Sequence, residues 1–467
     1  MRILYNILFP LLFWLSSPWY FLKMWRRGNW RDGLRERFGR YGSAVKHAVT
    51  NRRVIWFHAV SVGEVNLCAQ LIRALEPRIP NAKIVVSTTT STGMEQLRKR
   101  LPPHILRIYY PIDFRRAVSR ALAVIHPDVV VLIEAEIWPN FLWKLRDRHT
   151  PVFLVNARLS DRSYRGYRRL GFLFRPLFAS FKGVGAQSEA DAARLRQLGC
   201  RPEAVHVVGS LKFDAAKFEA RGQLDVPALL QQIGVPESAE LLVGGSTHAG
   251  EEAILAEAYK RLKPFHPNLF LVLVPRHFER GKEVGRELEA RGVKFVYRRE
   301  ITSATRLPPG SVECLLVNTT GELMCFYQHA TVVFVGKSLT AEGGQNPIEP
   351  GALGKAMIFG PNMQNFAAIA ESFVRHNAAV QIHDASELAP AIDDLLKNPA
   401  RRDELGRNAV HVVKASTGAV ERTVEMITSY MARKDNLSVL LNSETTAPTP
   451  SKPDVQESSP ATPNGRA

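Results

Sequence analysis

The chain has 467 residues, 45% of them hydrophobic and 23% charged. That mixture excludes a collagen-like, wholly disordered or multi-span membrane protein and leaves room for two to three globular domains. Its 62 Lys and Arg against 44 Asp and Glu give a net charge of +18, which points to an anionic partner such as nucleic acid, a phosphorylated substrate or a lipid surface. The excess is confined to one half: residues 1–210 hold 34 basic and 14 acidic residues, a net +20, whereas residues 211–467 hold 28 and 30, a net −2. Cys68, Cys200, Cys314 and Cys325 stand far apart with no CxxC pair and no clustered histidines. Neither a disulfide framework nor a zinc site is expected, and a reducing compartment fits.

From Ile3 to Leu22, twenty residues carry no charge and seven aromatic rings, about the length that an apolar helix needs to cross a bilayer core. Tyr5, Trp14, Trp19 and Tyr20 are rings favoured near headgroups, while Pro10 and Pro18 would kink or shorten a helix, so a spanning and an interfacial helix both fit. Only Arg2 precedes the stretch; Lys23, Arg26, Arg27, Arg31, Arg35, Arg37 and Arg40 follow it, which puts the bulk of the chain in the cytoplasm by the positive-inside rule. A cleaved signal peptide, which would carry its charge first, and a buried first helix of a soluble domain are the competing readings.

Beyond about residue 50, Val- and Ile-rich runs alternate with helical patterns, as βαβ units do. Strands are expected at Val54–Phe57, Ile84–Ser87, Val129–Ile133, Val152–Val155 and Val205–Val208, then at Leu241–Gly244, Phe270–Val274, Lys294–Val296, Cys314–Val317, Val332–Val335 and Ala356–Phe359. Weaker periodicity over Ser210–Pro236 marks a joining segment, and the Ser-, Thr- and Pro-rich stretch from Asn436 reads as a disordered tail. The expected organisation is a membrane anchor at 1–24, one Rossmann-like domain at 25–220, a second at 221–435 and a tail at 436–467. Two such α/β domains face each other across a cleft, where ligands bind beyond the carboxyl ends of the strands.

The first strand runs into His58-Ala-Val-Ser-Val-Gly63-Glu64 and then into helical spacing. Glu64 is placed as a general base would be, and equally as an acidic residue favoured by a helix dipole. Strand Val129–Ile133 leads into Glu134-Ala-Glu136; if the strand continued, both carboxylates would share a side and invite a cationic partner, for which Lys212 is the candidate, or they form a structural salt bridge. In the second half Pro275-Arg276-His277 ends a strand with a cation suited to a phosphate oxygen, and Thr319-Thr320-Gly321-Glu322 opens a helix whose amides could receive an anion. Gly343-Gly-Gln-Asn346-Pro347-Ile348-Glu349 reads as a ligand-binding loop in which Glu349 could hold ribose hydroxyls. No GxGxxG or GxxxxGK[ST] occurs, so dehydrogenase- and ATPase-type nucleotide sites are not indicated.

Taken in order, HAVSVGE, LIEAEIWPN, NARLSDRS, GSLKFD, GSTHAGEE, VPRH, TGELM, GGQNPIEP and Gly360-Pro361-Asn362 make a specific match: the chain resembles the 3-deoxy-D-manno-oct-2-ulosonic acid (Kdo) transferases. The resemblance implies a GT-B fold and an inverting, metal-independent transfer of Kdo from CMP-Kdo to the lipid A precursor, at the cytoplasmic side of the inner membrane, with no cofactor and no metal. It implies that Glu64 is the base, that Glu134 and Lys212 stabilise the transition state, and that Pro275, Arg276, Thr320, Gly321, Glu322, Asn346, Pro347, Ile348 and Glu349 bind CMP. Asn318, Thr320, Lys337 and Gln345 depart from the family pattern. The implied partners are CMP-Kdo, the lipid A precursor and an anionic membrane surface, which fits the basic first half; no nucleic-acid module is recognisable. The alternatives are a GT-B enzyme that uses a UDP-sugar on a lipid acceptor and a non-catalytic protein that docks anionic lipid.

Overall fold

Every apolar run expected as a strand overlaps one in the computed structural model, which describes residues 1–26, 32–134, 136–214 and 224–445. The first sheet contains β1 (Arg53–His58), β2 (Ala82–Thr88), β3 (Leu106–Tyr109), β4 (Val129–Ile133), β5 (Val152–Ala157), β6 (Gly183–Ala186) and β7 (Val205–Val207). The second contains β8 (Glu240–Thr247), β9 (Leu269–Pro275), β10 (Phe295–Tyr297), β11 (Cys314–Leu316), β12 (Val332–Val335), β13 (Met357–Phe359) and β14 (Val380–Gln381). The strand orders are 3-2-1-4-5-6-7 and 10-11-9-8-12-13-14. All pairings are parallel, as in β1 on β4 (Ile55 beside Val129) and β8 on β12 (Gly245 beside Val335).

Helices cover both faces of each sheet, which is why the strands read as continuous apolar runs: all of Val129–Ile133 and Val332–Val335 is buried. The strand order reverses between β1 and β4 and again between β8 and β12. At such switch points the loops diverge and open a crevice at the carboxyl ends of the strands. In the first sheet those ends carry the segments leading to Glu64 and Glu134, and in the second they carry Thr247-His248 and Gly336-Lys337.

Strands β3, β6 and β14 escaped the sequence reading. β6 is Gly183-Val-Gly-Ala, glycine-rich because neighbours press on it: a Cβ at Gly183 would lie 2.8 Å from the Phe153 ring and one at Gly185 2.9 Å from Val208. Those glycines serve strand packing rather than a turn. β14 is two residues long, and β3 puts Arg107 in an edge strand.

Four helices matter for the site: α1 (Arg2–Arg26), α2 (Val62–Leu75), α3 (Pro139–Asp147) and α4 (Leu211–Asp214). The second domain adds α5 (Glu251–Leu262) and α6 (Leu323–His329), and α7 (Ala419–Thr445) ends the described chain. α7 corrects two expected boundaries. It continues to Thr445, so residues 436–445 are helical rather than part of a tail; once the docked part is nucleated, elongation is cheap. It also leaves the second domain near residue 419 and packs on the first sheet, where Val424, Ile427 and Met431 join Ile55, Phe57 and Val131. Buried Asp214 fixes this return by accepting the Gly418 and Val420 amides at 2.6 and 2.7 Å. The joining segment Ser210–Pro236 contains α4 and the helix Val226–Gln232; residues 215–223, and the expected tail over 446–467, lie outside the described residues.

α1 docks along one face. Arg2 forms a bidentate pair with Asp147 at 2.7 and 2.8 Å, the Tyr5 hydroxyl donates to Asp113 at 2.9 Å, and Asn6 and Asn140 exchange amide hydrogen bonds at 3.1 and 3.0 Å. Phe9 and Phe13 pack on Phe114 with ring centroids 5.5 and 4.9 Å apart. The other face is bare: Ile3, Leu4, Ile7, Leu8, Leu11, Leu12, Trp14, Leu15 and Trp19 are exposed, Ile3 and Leu15 by more than three quarters (78% and 77%). α1 is therefore not a buried first helix. Among the described residues no helix is long and apolar enough to cross a membrane. Of the basic run expected after Leu22, Arg35, Arg37 and Arg40 are described, and the side chains of Lys23, Arg26, Arg27 and Arg31 lie outside the described residues.

Asp214→Ala would strand two backbone donors that the carboxylate now satisfies, at a cost of about 2–4 kcal/mol. Calorimetry should show a lower unfolding midpoint, with faster amide exchange at the start of α7. An unchanged midpoint and unchanged exchange would show that α7 is held by its apolar face alone.

Candidate active site

Ser61 caps α2, and its hydroxyl accepts the Glu64 amide at 3.2 Å. The Glu64 carboxylate returns to the cap, accepting the Val60 amide at 2.9 Å and the Ser61 amide at 3.4 Å. This is a capping box, so the structural reading of Glu64 holds locally. Its surroundings go beyond a cap. Burial pushes the carboxyl up from the ordinary glutamate range, hydrogen bonds from the Val60 amide and the Ser61 side chain oppose that, and the charges of Glu134 and Glu136 raise it further.

β4 stops at Ile133, and Glu134 turns into the left-handed region with φ 59°. The strand alternation expected to put Glu134 and Glu136 on one side therefore does not continue. Glu134 accepts Asn156 Nδ2 at 3.4 Å and its own amide donates to Val155 O, while Glu136 turns to the Trp138 indole at 2.9 Å. Burial raises the Glu136 carboxyl, and repulsion from Glu134 adds to that.

Lys212, on α4, is half-buried and within electrostatic reach of Glu134 and Glu64. Among the described residues no ion pair joins it to either, so the expected carboxylate partner is not in contact. Its ammonium instead crosses the cleft to Asn365 O in the second domain, at 3.0 Å, and lies 4.7 Å from the centre of the Phe366 ring. Burial holds the ammonium below the usual lysine range; Glu134 opposes that and Arg158 reinforces it.

In the second domain the fully buried Glu251 organises the cleft wall. Its carboxylate accepts four backbone amides: His248 at 2.8 Å, Lys337 at 2.7 Å, Ser338 at 2.8 Å and Leu339 at 3.0 Å. These contacts clamp the loops after β8 and β12 together. Arg276 follows β9, is exposed, and hydrogen-bonds its amide to Thr247 O. Asn346 bridges the start of the next helix, donating to Glu349 at 3.1 Å and accepting the Ile348 amide at 3.1 Å, with Pro347 between them. Burial raises the Glu349 carboxyl, and the hydrogen bond from Asn346 and the charge of Arg276 pull it back. Glu322, before α6, accepts Arg298 at 3.1 Å and the Thr319 hydroxyl at 2.5 Å, so its carboxylate is already committed, whereas Thr320 and Gly321 are exposed at the helix start. Pro275 ends β9 buried.

Two residues carry more than their motifs disclosed. Asn156, buried at the end of β5 with φ 53°, reaches Glu134 through its amide and accepts the Leu211 amide at 3.1 Å, so one side chain links the Glu134 turn to the Lys212 helix. The signal was an Asn at the end of an apolar strand, where a left-handed residue is tolerated. Arg158, two residues on, faces the second domain. His58, the first residue of HAVSVGE, is core: it stacks on Tyr110 at 3.9 Å, and burial pushes its imidazole down to about 3, so it is neutral. Among the described residues no three His, Cys, Asp or Glu side chains are grouped so as to hold a metal ion.

The chain is similar in sequence and in fold to known proteins. Residues 32–215 match the family model described as 3-deoxy-D-manno-octulosonic-acid transferase (kdotransferase). A 3-deoxy-D-manno-octulosonic acid transferase of Bordetella pertussis is 34% identical over 429 residues, which is 89% of this chain and 97% of that protein. One of Haemophilus influenzae is 30% identical over 407 residues, or 87% and 93%. In fold, the UDP-GlcNAc 2-epimerase of Neisseria meningitidis bound to UDP-GlcNAc superposes with a TM-score of 0.56 at 13% identity, covering 81% of this chain and all (100%) of that one. Its two-domain architecture is thus shared more widely than its chemistry. With relatives this similar along almost their whole length, the chain belongs to the Kdo transferase family and is a glycosyltransferase.

Proposed function

We propose that the enzyme transfers Kdo from CMP-Kdo to the phosphorylated lipid A precursor, with inversion and without a metal ion, in a GT-B cleft. The observation that carries this reading is the grouping of Glu64, Glu134 and Glu136 at the switch point of the first sheet with Lys212 in electrostatic reach, opposite the two loops that carry Arg276 and Glu349 in the second. A sugar hydroxyl becomes an adequate nucleophile when its proton leaves as the new bond forms. Glu64 uses two acceptor positions on the cap and keeps others, because a carboxylate has about four. It takes the proton of the acceptor hydroxyl, whose oxygen attacks the anomeric carbon of Kdo. The bond from that carbon to the phosphate oxygen breaks through an oxocarbenium-like state, and CMP departs with the electron pair. Lys212 offsets the negative charge that develops on the leaving oxygen beside the sugar, and Arg276 that on the rest of the phosphate.

α1 is the membrane element in this reading. Its docked face is held by polar and aromatic contacts and its bare face is a row of Leu, Ile and Trp, so it lies along the bilayer surface with the bare face in the acyl boundary. The basic first half then faces anionic headgroups and the phosphates of the acceptor.

Glu64→Gln retains the cap and removes the proton acceptor. It should lower kcat by about 10²- to 10⁴-fold while leaving CMP binding intact, read as CMP release and lipid mass with CMP-Kdo in the presence of EDTA. A variant within twofold of wild type would refute the base, and wild-type consumption of a UDP-sugar in place of CMP-Kdo would overturn the donor.

Because the Glu64 carboxyl is raised above the ordinary value of 4.5 and must be ionised to act, the acid limb of kcat/KM should lie above pH 4.5, with activity falling as the pH drops through it. A rate that stays flat through pH 4.5 would contradict this.

Leu11→Glu with Leu15→Glu should weaken cosedimentation with anionic vesicles by tenfold or more, on the order of the loss of two buried apolar side chains. Undiminished binding by the double variant would place the membrane contact elsewhere.

A further inference from the structure

Two cations of the first domain end on the same feature of the second. Arg158 Nη1 lies 3.4 Å from both Gln364 O and Asn365 O, and Lys212 Nζ lies 3.0 Å from Asn365 O. Like charges that converge on one neutral carbonyl repel each other, and two of the three contacts are long. A neutral carbonyl offsets little of that repulsion; an anion would offset much more.

The strap Gln364–Phe366 that supplies these carbonyls is tied to the nucleotide-binding loop. Gln364 Oε1 accepts the Gly343 amide at 2.6 Å, and the Asn365 amide donates to Gly343 O at 2.8 Å. Gly343 has φ 126°, and a Cβ there would lie 2.7 Å from Asn365 Nδ2, so strap and loop touch with no room for a side chain. The cation pair thus faces the place where a donor sugar must sit, between a nucleotide held by the second domain and Glu64 in the first.

We propose that Arg158 and Lys212 form a receptor for the carboxylate of the donor sugar, with the strap carbonyls as placeholders that the carboxylate displaces. This rests on the proposed donor, since an ulosonic acid carries a carboxylate on its anomeric carbon, next to the bond that breaks, and a neutral hexose does not. The guanidinium of Arg158 offers a planar fork that matches a carboxylate, while the Lys212 ammonium serves as a point charge on the same group. The receptor selects acidic over neutral donors and turns the anomeric carbon toward Glu64. Arg158 is the part of this receptor that no motif role accounts for.

The test compares CMP, which lacks the sugar, with CMP-Kdo. Arg158→Gln should raise KM for CMP-Kdo about tenfold or more, the usual range for a lost charged hydrogen bond, while the inhibition constant of CMP stays within about twofold of wild type. Arg158→Lys should recover part of the loss, because it keeps the charge and gives up the fork. An unchanged KM in Arg158→Gln overturns the receptor and leaves the donor assignment standing. A parallel loss of CMP affinity also overturns it, because Arg158 would then act through the strap and the domain arrangement. Wild-type enzyme that leaves CMP-Kdo unreacted sinks the donor assignment and the receptor together.

Discussion

In a parallel sheet every strand ends at the same edge, and the loops there carry amides that neither sheet nor helix pairs. In this enzyme three buried carboxylates meet part of that need. Glu251 accepts four backbone amides, Asp214 two, and Asp113 accepts Asn140 and Phe141 at 2.9 Å each, together with the Tyr5 hydroxyl. Glu251 joins the loops after two adjacent strands, Asp214 brings the last helix back to the first domain, and Asp113 sets the start of α3 and receives α1. Each converts a desolvation cost into a geometric constraint, because a buried carboxylate without donors would be far more costly than one with them.

Against that pattern the cleft carboxylates stand out. Among the described residues Glu134 has one long contact from an amide side chain, Glu136 one indole, and Glu64 two amides of its own helix cap. Glu134 and Glu136 both repel Glu64, and Glu134 repels Glu136, across a left-handed turn at Glu134 where the strand ends. Asn156 makes that turn affordable by bonding both the Glu134 side chain and the backbone of the Lys212 helix. A site that holds like charges together without fully pairing them is suited to a step in which a proton arrives on one carboxylate while positive charge grows on the sugar beside it.

Much of this was legible in the sequence, for reasons that can be named. Strands β1, β4, β8, β9 and β12 are central, so both faces are buried and their apolar runs are unbroken. β3 and β14 are short and lie at sheet edges, and β6 uses glycine where large side chains press on it, so pattern alone detects them poorly. The positions of Glu64, Glu134 and Lys212 at strand ends followed from the alternation of strand and helix. What they touch did not. That Lys212 reaches Asn365 rather than a carboxylate depends on how two domains meet, and the contact joins residues 153 apart in the chain. The helical stretch past Asn436 was missed because it continues a helix whose start, through Val424, Ile427 and Met431, is docked on the other domain, which its own composition does not disclose.

The same separation between local pattern and long-range contact bears on how the enzyme meets its acceptor. A helix tethered through a flexible joint would leave the cleft free to point anywhere, and α1 is not held that way. Phe9 lies against Trp138 with ring centroids 6.4 Å apart, and the Trp138 indole donates to Glu136 in the cleft. Arg2 and Asn6 anchor the first two turns of α1 to α3, and Tyr5 anchors them to Asp113 in the loop after β3, which itself accepts the first amides of α3, next to the segment that carries Glu134 and Glu136. If the bare face of α1 rests in the acyl boundary as proposed, its depth and roll fix the height and tilt of the cleft above the headgroups through rigid contacts. An acceptor whose acyl chains stay in the bilayer then has to raise only its sugar to Glu64, and the distance over which it does so is built into the packing of one helix.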